Sequence, residues 1–137
     1  MKSKLGVLMA SLGVLCAGVT LAAHHSFTLE YDSNKRITLK GVVTKVEWTN
    51  PHARFYIDVT DEKGTVSNWN LELASPSALV RNGWTSRSLK VGDRVTVEGF
   101  GPRAAGTYRV NARSVVLADG RSVFSGAADD GAPAGGR

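Results

Sequence analysis

The sequence predicts a small all-β protein, a barrel of five to six strands with one short helix between strands 3 and 4. Three observations predict it. Between Ile37 and Phe124 the β-branched and apolar residues come in short runs that alternate with polar ones, the period of half-buried strands. The runs are separated by short glycine-containing turns, "DEKGT" and "ADGR" among them. A single helix signature, "SPSALVRNG", interrupts the series after the third run.

Taken in order, strand one is "ITLKGVVTKVEWT", with Gly41 as the expected bulge or bend where the alternation slips by one. Strand two is "PHARFYIDVTD", in which Phe55, Ile57 and Val59 alternate with Arg54, Tyr56 and Asp58. Gly64 is free to adopt positive φ in the hairpin turn that follows. Strand three, "VSNWNLELA", returns with Trp69, Leu71 and Leu73 on one face, so Asn70 and Glu72 point the other way. On that face Glu72 reads as a solvated residue paired across strands with Lys45 or Arg54. In the helix, Ser75 is the N-cap, Pro76 takes the first position, Ala78, Leu79 and Val80 supply apolar surface, and Gly83 ends it. Then come "RVTVEGFG", "TYRVNARSVVLA" and a last short strand "SVF".

The ends of the chain bound its location and chemistry. Residues 1–23 carry Lys2 and Lys4, an apolar run from Leu5 and small residues before His24, the layout of a secretory signal peptide, so a periplasmic protein without a membrane anchor after cleavage is expected. The apolar run is interrupted by Gly6, Ser11, Gly13 and Gly18, which argues against a retained span. Cys16 lies inside this leader and is the chain's one cysteine, so the mature protein has no disulfide, thiol chemistry or cysteine-ligated zinc. Residues 24–36 read as an N-terminal arm, 37–124 as the barrel domain, and 125–137, "SGAADDGAPAGGR", as a flexible tail without large apolar residues. Without Lys2 and Lys4, 15 basic residues stand against 12 acidic ones, a net charge near +3. That mild charge, scattered among acids on an exported chain, leaves nucleic acid out of the expected partners.

The order β-β-β-α-β-β looks like an OB-fold, whose helix lies between strands three and four. Beyond strand order, "HHSF", "YDSNKRITLKGVVTKVEWTNPHA", "LELASPSALVRNGW", "LKVGDRVTVEGF" and "NARSVVLADGR" closely resemble a family of small exported bacterial proteins, the domain-of-unknown-function family 6152. The resemblance spans His24 to Phe124 and implies a periplasmic, barrel-like protein in which the histidine pair and the "NPH" turn are typical; here these are His24, His25, Asn50, Pro51 and His52. Arg54 departs from the apolar or aromatic residue commoner after that turn. The resemblance implies no activity.

Two of the three histidines, His24 and His25, sit at the end of the leader. Cleavage after Ala23 makes His24 the amino terminus, whose α-amino group and ring Nδ1 chelate one metal ion; with His52 as third ligand this is a brace of three nitrogens suited to Cu(II). Cleavage after Ala22 puts His25 third in "AHH", and the amine, two amides and its ring form a square-planar site for Cu(II) or Ni(II). The metal ligands expected are therefore His24, His25 and His52, with copper as the ion. In the alternative reading, the same arm binds no metal and the barrel mouth takes a small ligand or a periplasmic protein through Trp48, Asn50, His52, Arg54, Glu72 and Tyr108. The glycine-rich "FGPRAAGTY" segment would be a lid there. Glu72 or Glu47 beside His52 would make an acid/base pair, yet no GxSxG, HExxH or phosphate-cradling glycine loop is present, and a binding protein rather than an enzyme is expected.

Overall fold

A computed structural model of the chain describes residues 27–125. After a helical turn at 27–30, the elements are β1 (Tyr31–Glu47), β2 (Arg54–Thr60), β3 (Val66–Glu72), α1 (Pro76–Arg81), β4 (Arg94–Pro102), β5 (Arg109–Leu117) and β6 (Ser122–Ser125). The expected leader, His24, His25 and residues 126–137 of the expected tail lie outside the described residues.

The sheet runs β3-β2-β1-β4-β5-β6, and a parallel pairing of β3 with β5 closes it into a ring. This is the closure of a small all-β barrel, with α1 between the third and fourth strands as the sequence predicts. The long β1 makes the ring possible, because its first half pairs with β4 and its second half, from Val42, pairs with β2. Gly41 stands where the strand changes partner. A Cβ there would come within 2.5 Å of the Asp58 carbonyl oxygen and 3.2 Å of Ile57 Cδ1, so the bend needs glycine for close backbone approach. The slip in register expected at Gly41 falls instead between Val43 and Lys45, where Thr44 is the extra residue.

The alternation of β2 and β3 sends Phe55, Ile57 and Leu71 inward to meet Val97, Val110 and Val115, all fully buried. Helix α1 closes one end of this core. Ser75 Oγ accepts from the Ala78 amide, Ala78 and Leu79 are buried, and Gly83 follows at φ 84°. Val80, expected to add apolar surface, faces solvent at 58% exposure, since two turns can turn only one narrow stripe inward. Trp84, just past the helix, is buried in the same core.

β1 begins at Tyr31 rather than at Ile37, so six residues assigned to the arm belong to the barrel. Polar "YDSNKR" hides this strand from a hydrophobicity pattern. Its pairing with β4 is irregular between Tyr31 and Arg36, where Asp32 Oδ1 accepts from the Asn34 amide in a local turn.

Candidate functional site

The site grows from the pleat of β2 and β3. Ala53 continues the ladder past Arg54, donating to the Ala74 carbonyl and accepting from the Leu73 amide. With Ala53 buried, the residues on either side of it, His52 and Arg54, project from the outer face of the barrel. Arg54 stands opposite Glu72 on β3, and Glu72 stands opposite Asn111 on β5. Phe100 of β4 is opposite Asn111, so one row crosses four strands on this outer face.

Along that row lies the N-terminal segment. Phe27 and Tyr31 pack with Phe100 in a small second core outside the barrel, each at most 5% exposed. The Phe27 ring is 5.7 Å from Tyr31 and meets Phe100 edge-on at 5.8 Å, while the Arg113 guanidinium lies 5.0 Å from the Phe100 centroid. Charged and backbone contacts tie the segment to the β4–β5 connection. Arg109 pairs with Glu30 at 2.9 Å, the Arg103 amide donates to the Glu30 carbonyl, and Arg103 Nη2 donates to the Tyr31 carbonyl.

This cover changes the chemistry of Glu72. The alternation correctly turns it outward, but it is 6% exposed rather than solvated, because the N-terminal segment lies over it. Glu72 Oε1 accepts from His52 Nδ1 at 2.9 Å; Oε2 accepts from Arg54 Nη2 at 2.6 Å and from the Tyr31 hydroxyl at 3.2 Å. Of its two expected partners the carboxylate takes Arg54, while Lys45 pairs with Glu47. Burial would push the Glu72 carboxyl up, but the hydrogen bond from His52 and the charge of Arg54 outweigh it and hold its pKa below the ordinary carboxylate value. For Tyr31, burial and then the Glu72 charge raise the phenol pKa well above its usual value, so it remains a hydroxyl donor.

Of the sequence-predicted residues, the structure brings together His52, Arg54 and Glu72; Asn70 joins through a 3.4 Å bond from Arg54 Nη1 to its Oδ1. Trp48 packs against the main core, Asn50 is exposed at the turn, and Tyr108 meets Trp69 edge-on at 5.2 Å. Glu47 is occupied by Lys45 and the Tyr56 hydroxyl, so the pair with His52 is made by Glu72 alone of the two candidates. The glycine-rich loop grips the N-terminal segment at Glu30 and β3 at Asn70, whose amide donates to the Tyr108 carbonyl. Trp69, on the same face as Leu71, is partly buried, packs against the main core and donates its indole N–H to Ser67 Oγ.

Tyr31, Phe27, Phe100 and Arg113 were not legible as site residues. Only the aromatic spacing of Phe27 and Tyr31, one helical turn apart, hints that they share a face.

Chemically, a carboxylate on His52 Nδ1 fixes the orientation of the ring and its tautomer. Among the described residues no group of three or more His, Cys, Asp or Glu side chains is gathered to hold a metal ion. No curated protein matches the chain. The model of one family, described as "Family of unknown function (DUF6152)", matches residues 10–110, a span that takes in β1 to β4, α1 and the start of β5, and the chain belongs to that family.

Proposed function

We propose that this is an exported, non-enzymatic binding protein that carries a copper ion on the outer face of its barrel, with His52 and the N-terminal His24 or His25 as ligands. One observation carries the reading: the Glu72–His52 hydrogen bond lies under the same N-terminal segment that Phe27 anchors. His25 precedes that anchor by two residues and His24 by three, so both stay within about 11 Å of the Phe27 Cα even in a fully extended chain. The anchoring of Phe27 beside Tyr31, whose hydroxyl bonds the same carboxylate as His52, supports this reading. Imidazole and amine nitrogens without thiolate suit Cu(II) better than zinc.

The test is the intact mass of protein purified from the periplasm, then Cu(II) titration with electron paramagnetic resonance on the same sample. A "HHSF" terminus with one axial three-nitrogen signal that His52→Ala weakens at least tenfold supports the brace. An "AHHSF" terminus with a four-nitrogen signal indifferent to His52→Ala moves the site to the terminus alone. Affinity no tighter than micromolar, about 8 kcal/mol, retires copper.

A second reading is favoured by one observation. Leu29 and Tyr108 are 74% and 53% exposed and are linked to each other's neighbours by the Glu30–Arg109 pair, an apolar surface suited to a small ligand or a protein partner. Tyr108→Ala would abolish such binding and leave copper affinity unchanged.

A further inference from the structure

We infer that the barrel carries a separate ligand site, a trough beside the end of β2 remote from His52, and that it takes a small hydroxylated monocarboxylate, the chemistry of a sugar acid. It stands independently of the copper reading.

The trough arises where β1 changes partner. Pairing of β1 with β2 runs from Glu47–Arg54 to Val42–Asp58. From Val42 back to Arg36 the strand follows β4 instead, while β2 continues through Val59 and Thr60 paired with β3. The two strands diverge, and a space of about 350 Å³ opens beside Gly41 and Val42. That lies near the lower bound for small-molecule sites, which fits one sugar-sized molecule better than a longer chain.

The period of two decides what lines it. Lys40 and Val42 flank the inward position of Gly41, Arg94 and Thr96 flank buried Val95, and Asp58 and Thr60 follow buried Ile57, so these six side chains face outward around the trough. Val42 stands opposite Arg94 on one side and Asp58 on the other, a half-buried apolar floor between a basic and an acidic wall. Lys40 stands opposite Thr96, which makes Lys40 and Arg94 diagonal neighbours roughly 7–8 Å apart. Both cations are exposed, and among the described residues neither pairs with a carboxylate. On its far side Arg94 borders Asp93 and Asp119, but Asp93 Oδ2 accepts from the Lys90 amide and Asp119 pairs with Arg121. An anion seated between Lys40 and Arg94 turns their mutual repulsion into two charge-assisted contacts.

Asp58 sets the rest of the specificity. Asn68 Nδ2 donates to its Oδ1 at 2.8 Å and to Thr44 Oγ1 at 3.1 Å, so a single amide orients the carboxylate. An ionised carboxylate only accepts, and its second oxygen therefore calls for a donor on the ligand. Two cations against one carboxylate leave the trough with one positive charge, which matches a monoanion carrying hydroxyls rather than a zwitterion. The Thr60 and Thr96 hydroxyls can donate or accept at the same wall and floor.

The experiment titrates 15N-labelled protein, prepared as for the copper measurement, with D-glucuronate at constant ionic strength. D-Glucose, which lacks the carboxylate, and propionate, which lacks the hydroxyls, are the matched probes. Expected are saturable amide shifts over residues 40–42, 58–60 and 94–96 with Kd of about 1 mM or tighter. Each matched probe should bind at least about fivefold more weakly. Lys40→Gln and Arg94→Gln should each lower glucuronate affinity by about two- to fivefold, and the double variant by the product, with spectra otherwise unchanged because both side chains are exposed. Asp58→Asn should act in opposite directions, tightening propionate by removing a like charge while reducing the preference for glucuronate over propionate. His52→Ala should bind glucuronate as wild type does. Shifts that do not saturate, or that cover Lys35, Arg36 and Arg87 as strongly as the trough, would mean general attraction of anions and overturn the site. Propionate binding as tightly as glucuronate would remove the hydroxyl contacts, glucose binding as tightly would remove the anion contact, and either overturns the assigned ligand class.

Discussion

Phe27→Ala tests whether the N-terminal segment is held by the small outer core rather than by the barrel itself. Phe27 is 5% exposed and contacts two rings, with Arg113 above it. Burying a phenylalanine contributes about 1.5–3 kcal/mol and a favourable ring pair about 0.5–1.5 kcal/mol more. After allowing for the methyl group that alanine keeps, the docked state should lose about 2–3 kcal/mol relative to the lifted one. At about 1.4 kcal/mol per power of ten, exchange protection in the segment falls by about 30- to 150-fold. The loss stays local, because the segment can lift while the main core, built from β2, β3, β4 and β5, remains closed. Hydrogen exchange by mass spectrometry should show rapid exchange over residues 27–36 and in the 102–109 loop, with peptides containing Phe55 and Leu71 unchanged. An equal loss of protection in both sets would mean that the segment and the barrel unfold as one unit. No loss in the first would mean that the ion pair and backbone bonds of Glu30 alone hold it, and either result refutes the two-core description.

Three further outcomes follow from particular contacts. Gly41→Ala should lower the denaturation midpoint by an amount equivalent to about 1–3 kcal/mol, because its Cβ meets the Asp58 carbonyl; equilibrium urea unfolding with an unchanged slope checks this. Ser75→Ala should cost about 1 kcal/mol through the lost cap on the Ala78 amide, measured the same way. In the metal-free protein, Glu72 contributes stability that is fully present above the unfolded carboxylate pKa of about 4.3 and is lost as pH falls through its lowered folded value, so wild type should weaken more steeply than Glu72→Gln between about pH 5 and pH 2; parallel curves for the two would contradict the assignment.

How much of this was legible depends on the face. Inward positions obey a period of two, and Phe55, Ile57, Leu71 and the capped helix at Ser75 stand where that period and the cap chemistry put them. The outer face obeys no such rule once another part of the chain lies on it. Glu72 alternates with Leu71 and Leu73 and so reads as solvated, but it is buried, with the Tyr31 hydroxyl, from more than forty positions away, against its carboxylate. Strand β1 failed at its start for a related reason. Residues 32–36 lack large apolar side chains because this stretch is held at its two ends, by the pairings of Tyr31 with Pro102 and of Arg36 with Phe100, and not by inward packing. The pairing of His52 with Glu72 was within reach as a geometric option, since both lie near the strand ends that "NPH" and "ELA" mark, but sequence offered Glu47 equally.

The ring of strands closes where β3 meets β5, over three residue pairs against seven between β2 and β3. A cylinder opens at its shortest seam. Tyr31, paired through its backbone to Pro102 on β4, reaches across β5 to Glu72 on β3 and so spans that seam from one side to the other. Mechanically it is a stitch. Tension on the N-terminus would load this stitch and the rings beneath it before any strand is peeled, and the seam would begin to part at the end that carries His52.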